Sequence, residues 1–190
     1  MKQKIIIAIA ALMVSSCMPA FGAGGAGHWG ISTNLPTWML LGTANTEVHY
    51  MASEHWSLEA GVKYNPFTYY AGSERQTHLR QLTPSIGARY WFCEPWHGWY
   101  AGARLLGSEY SVSWPRSGRF FDGDLAGARL FFGYNFSLTE RLSLSLGAGG
   151  AAAYHRTTFY AGAVCGRIVD RRSGFALFPS DLTASLMIRL

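Results

Sequence analysis

Apolar and polar residues alternate with a period of two along most of the chain. In "RLSLSLGAGG" Leu142, Leu144 and Leu146 fall on one face, and Ser143, Ser145 and Gly147 on the other. In "LTASLMIRL" Leu182, Ala184, Leu186, Ile188 and Leu190 oppose Thr183, Ser185, Met187 and Arg189. "WSLEAGVKYNP" sets Trp56, Leu58, Ala60, Val62 and Tyr64 against Ser57, Glu59, Gly61, Lys63 and Asn65. The same reading holds for "TEVHYM", "LTPSIGARYWF" and "LAGARLFFGYNF", less cleanly for "WYAGARLLGS", and for "HWGISTNLP" at the start. Strict alternation is the mark of half-buried strands. Eight strands are predicted.

The connections alternate in length. "SEH", "CEPWHG" and "LTER" are short, whereas 35–43, 68–81, 111–123 and 156–179 are long. Short turns at one end and long loops at the other predict an all-β fold, an eight-stranded antiparallel, up-and-down transmembrane β-barrel. Both termini then lie on the short-turn, periplasmic side. In such a barrel the leucines of 142–146 face lipid, and the serines and glycines face inward. Tyr50, Trp56, Tyr90, Phe92, Trp99, Tyr134 and Phe136 lie on the apolar face near short turns, as a periplasmic aromatic girdle would. Tyr64 and Tyr154 are candidates for the outer girdle.

Composition agrees. The 190 residues are 49% hydrophobic and only 14% charged, against about a quarter charged in soluble domains. Yet no run after residue 22 approaches the ~18 apolar residues of a spanning helix. Lys2 and Lys4, the apolar run Ile5–Val14 and "PAFGA" read as a secretory signal peptide over 1–22. A short segment, 23–28, precedes the barrel at 29–190. "VSSC" offers a second processing reading, a lipobox in which Cys17 is lipidated. Export points to the outer membrane of a Gram-negative bacterium and removes nucleic acid as a partner, despite the net charge of +5.

The inward face carries charge: Glu47, Glu59, Lys63, Arg89, Arg104, Arg129 and Arg189, with His49 set near Glu59 across the 53–55 turn. Buried charges must be paired. These residues are therefore expected to form an ionic network that plugs the barrel. Eight strands leave room for side chains and no open channel. The competing reading is an ion pathway. The turn at 138–141 is expected to set Phe131 opposite Gly147 and Arg129 opposite Gly149. The alternative for the whole chain is a secreted sandwich or lipocalin-like barrel with the aliphatic face inside. That fold would have to carry the Glu, Lys and Arg residues outside among glycines.

"WSLEAGVKYNPF", "LTPSIGARYWFCEPWHGWYAGARLLGSEY" and "GARLFFGYNFSLTERLSLSLGAG" resemble the domain-of-unknown-function family DUF3575, of Bacteroidetes outer-membrane proteins. The resemblance covers about 29–190, and its most specific pieces are Asn65–Phe67 and Arg89–Ala103. It implies an outer-membrane barrel and leaves activity open. Members near fimbrial genes would imply a surface or fimbrial partner. The chain ends in Leu190, where outer-membrane barrels often end in Phe or Trp as an assembly signal for the barrel assembly machinery.

Little in the chain suggests catalysis, so no enzyme, cofactor or metal is expected. There is no G-x-S-x-G, H-E-x-x-H or C-x-x-C. "HWS", His55–Ser57, has the spacing of a lipid A esterase pair, but Ser57 points inward at the wrong end. Cys93 in a short turn and Cys165 in the last long loop fall at opposite ends of the barrel, so no bond between them is expected. The long loops carry Arg75 and Arg80, then Arg116 and Arg119, then Arg171 and Arg172. Arg pairs well with phosphate, so these are candidate contacts to lipopolysaccharide or a surface partner. The expected role is structural, adhesive or surface-binding. The runners-up are an enzyme acting on lipid A or phospholipid, and a narrow pore.

Overall fold

The computed structural model describes residues 28–40, 42–70, 77–113, 119–161 and 166–190. The elements are β1 (Trp29–Asn34), α1 (Leu35–Met39), β2 (Ala44–Met51), β3 (Trp56–Asn65), β4 (Thr68–Tyr69), β5 (Thr77–Trp91), β6 (Gly98–Ser113), β7 (Arg119–Ser137), β8 (Leu142–Ala161) and β9 (Ile168–Arg189). All pairings are antiparallel. β1 pairs with both β2 and β9, and β3 pairs with β5, so the sheet closes into an eight-stranded up-and-down barrel. The two-residue β4 is a side ornament on β5.

Burial runs opposite to that of a water-soluble barrel with an oily core. Ser57, Glu59, Arg89, Arg104, Arg129, Ser143, Ser145 and Arg189 are buried, while Leu58, Ile86, Leu105, Leu130, Leu146 and Ile188 are exposed. The polar face of each alternating strand points into the lumen. The leucines of 142–146 face outward, which excludes an aliphatic lining.

Three features depart from the sequence reading. First, β7, β8 and β9 run for 19, 20 and 22 residues, so much of the presumed loops 111–123 and 156–179 is ladder. Cross-strand aromatic pairs hold these extensions, with ring centroids 5.0 Å apart for Phe120–Tyr160 and 5.8 Å for Phe121–Phe159. In these extensions both faces carry polar residues, so alternation vanishes while pairing continues. Second, the segment after β1 is the short helix α1, started by Pro36 in its first turn. Third, Phe131 pairs with Gly149 and Arg129 with Ala151, two residues beyond the expected register. Thr139 Oγ1 accepts hydrogen bonds from the N–H groups of Arg141 and Leu142, which fixes the turn. A two-residue slip keeps every side chain on its face, where one residue would have inverted the strand.

Candidate functional site

The lumen holds a compact ion network built by four adjacent strands. Glu59 on β3 sits at its centre. Its Oε1 accepts from Arg104 Nε at 3.0 Å and Nη2 at 2.7 Å, and its Oε2 from Arg89 Nη2 at 2.9 Å. Arg104 also donates to both carboxylate oxygens of Glu47, through Nη1 and Nη2. His49, paired with Glu59 across β2 and β3, places Nδ1 3.5 Å from Glu59 Oε2 and shares a 2.9 Å hydrogen bond between Nε2 and Ser32 Oγ. The Arg89 guanidinium lies 4.3 Å from the Tyr100 ring centroid. Two carboxylates and two guanidiniums neutralise one another, which makes burial tolerable.

Five of the sequence-read interior residues, Glu47, His49, Glu59, Arg89 and Arg104, thus converge. Lys63 stands further up β3, half-buried between Asn45 and Thr83. Arg129 is buried opposite Arg104, with its guanidinium 5.1 Å from the Phe131 ring centroid. Arg189 departs from the expectation. Its Nη2 donates to the Thr139 carbonyl at 2.8 Å and ties the C-terminal strand to the 138–141 turn. Glu47, His49 and Glu59 bring ligand atoms within 4.8 Å of one another. Both carboxylates are already engaged by arginines, so a dication would have to displace those cations.

Below the network, at the short-turn end, lies an aromatic floor. Trp91, Trp96, Tyr100, Phe131 and Met187 form one buried cluster. Trp96 packs 5.8 Å from Trp91 and edge-on to His49 at 6.2 Å. Sequence reading passed over Trp96 because it lies in a turn, where alternation carries no information. The turn backbone swings it inward, with positive φ at Trp96 (62°) and Gly98 (80°), and Asn135 Nδ2 donates to its carbonyl. Trp91 Nε1 donates to Ser57 Oγ at 3.0 Å. Ser57 is therefore sealed in the floor, while His55 stacks on Tyr90 at 5.7 Å. The "HWS" pair does not converge. Cys93, in the same turn region, is disulfide-bonded, although the sequence reading gave it no partner. Cys17 and Cys165, the chain's other two cysteines, lie outside the described residues.

Outside, the same end wears an aromatic belt. Neighbouring rings run Trp56–Tyr90–Phe92–Phe132–Trp99–Tyr134–Phe136 with centroids 4.6–6.5 Å apart, and Trp29–Tyr50 adds a pair at 4.8 Å.

At the opposite end a cavity of about 650 Å³ opens among Tyr64, Arg80, Glu109, Asp122, Asp124 and Arg156. Arg156 pairs with Asp124 at 2.9 Å. Of the loop arginines read from sequence, Arg80 reaches this cavity. Arg171 and Arg172 sit near the tip of β9, where Arg172 Nε donates to Asp170 at 2.7 Å. That hydrogen bond holds the Asp170 carboxyl below its usual range. Arg75, Arg116 and the side chain of Arg119 lie outside the described residues. Among the described loop arginines, Arg80 stands apart from Arg171 and Arg172 in the sheet, and the cavity's carboxylates outnumber its guanidiniums.

The profile of a protein family of unknown function, DUF3575, matches residues 6–190. The chain belongs to this family. No curated protein and no solved structure matches it. For this DUF3575 member, then, the lumen, floor and belt are the whole basis of a functional reading.

Proposed function

We propose that this DUF3575 chain is a small, non-enzymatic outer-membrane β-barrel, closed to ions, with a structural, adhesive or surface-binding role at its loop end. The observation that carries the reading is the inverted burial, with arginines and serines inside and leucines outside. A closed barrel leaves no backbone group unpaired in lipid. The belt at the short-turn end matches an interfacial girdle. The outward apolar stretch of β7 runs from Phe136 to Ala126 and stops at Asp124. At about 2.6 Å of height per tilted residue it stands about 26 Å tall, close to the ~25 Å apolar band of such barrels. On β8 the stretch ends after Tyr154, at Arg156. The basic n-region and apolar run of the leader supply export. The partners of this reading are outer-leaflet lipid, lipopolysaccharide phosphates near the loop arginines, the barrel assembly machinery and a surface or fimbrial protein.

The test is gel mobility of the outer-membrane fraction with and without boiling. A closed membrane barrel resists detergent and should migrate faster unheated. Recovery in the soluble periplasm with no heat-dependent shift would overturn the reading.

A further inference from the structure

The side of the barrel built by β1, β2 and β3 is unlike the rest. β1 spans only Trp29–Asn34, and above it the wall is completed by α1 instead of by strand. From Ile31 to Thr46 there is no charged residue. Leu35, Trp38 and Leu40 are half-exposed, and Met39 is 88% exposed. Nearby Phe67, Tyr69 and Tyr70 are exposed as well.

Several backbone groups here are tied internally. Asn45 accepts from the Asn34 N–H at 2.6 Å through Oδ1 and donates to the Asn34 carbonyl at 2.9 Å through Nδ2. Asn34 Oδ1 accepts from the Ala184 N–H at 3.0 Å, reaching across to β9. Thr43 Oγ1 donates to the Leu40 carbonyl at 2.7 Å, and Asn65 Oδ1 accepts from the Phe67 N–H at 3.0 Å. Even the Trp38 indole N–H is satisfied, by Thr33 Oγ1 at 2.8 Å. A water-exposed loop needs none of this, because water serves its amides. Backbone that borders hydrocarbon must find its hydrogen-bond partners within the protein.

Height gives the same answer. Leu35 follows Trp29, a member of the aromatic belt, by six residues. At about 2.6 Å per residue that is about 16 Å above the belt, inside a band of ~25 Å.

We infer that α1 is a lipid-facing insert in the barrel wall, with Leu35, Trp38, Met39 and Leu40 covered by outer-leaflet acyl chains. The first long connection is then no extracellular loop. This rests on the membrane reading, and the experiment separates the two. The photo-crosslinking residue p-benzoylphenylalanine is placed at Met39, at Ile86 in mid-band and at Glu54 in a short turn. Each variant is reconstituted in phosphatidylethanolamine–phosphatidylglycerol vesicles carrying a radiolabelled acyl chain, and only protein with the heat-dependent gel shift is scored. Leu40 is the second position if the Met39 variant does not fold. Lipid adducts at Met39 comparable with those at Ile86, and none at Glu54, are expected. Label at Ile86 without label at the α1 position, or an α1 adduct to a second copy of the chain, overturns the assignment of α1 and leaves the membrane barrel standing. Absence of label at Ile86 as well overturns both.

Discussion

Replacing Glu59 with leucine should cost the barrel about 3–5 kcal/mol of unfolding free energy, the usual consequence of stranding a buried charge. Glu59 is fully buried and serves Arg89 and Arg104 together. Arg104 would keep Glu47, but the ion pair of Arg89 would be lost. Urea unfolding from vesicles, followed by loss of the fast gel form, measures the cost. Glu59→Gln should fall between, since an amide oxygen still accepts a hydrogen bond without matching the charge. Glu59→Leu combined with Arg89→Met should recover much of the loss, because removing both partners of a buried pair costs far less than removing one. Asp124→Ala is the control, since its partnership with Arg156 is exposed on both sides and exposed pairs contribute little. A loss for Glu59→Leu no larger than for Asp124→Ala would mean that water fills the lumen and screens the network.

The strand count, the direction of each face and five members of the network were legible in the sequence. Each follows from parity, and parity survives small errors of register. Arg129, expected opposite Gly149, pairs with Ala151 two residues away, yet it still points inward. What parity cannot reach was missed. Trp96 lies in a turn whose backbone decides its direction. Arg189 has the right parity but stands at the rim, where its Nη2 donates to the Thr139 carbonyl. The extensions of β7, β8 and β9 carry mixed polarity on both faces, so alternation could not announce them. The helix α1 was hidden because a five-residue element is too short to show a helical period. Its uncharged composition was the available signal.

Trp96→Ala should cost about 3–5 kcal/mol, the range for deleting a buried aromatic, although the residue belongs to a turn, where substitutions are usually mild. The indole is fully buried against Trp91 and His49. Its removal leaves a cavity beneath the ion network that the strands cannot close, because the ladder fixes their spacing. His97→Ala, next in the same turn and half-buried, separates loss of turn structure from loss of the floor and should change stability far less. Planar bilayers discriminate further. The wild-type barrel should show no stepwise conductance, since eight strands leave a lumen that side chains fill. Trp96→Ala should remain silent too, because Arg89, Glu59 and Arg104 still bridge the lumen above the gap. Conductance in Trp96→Ala would make the indole, rather than the ion network, the seal. Conductance in the wild type would turn the plugged barrel into a pore with a charged constriction at Glu59.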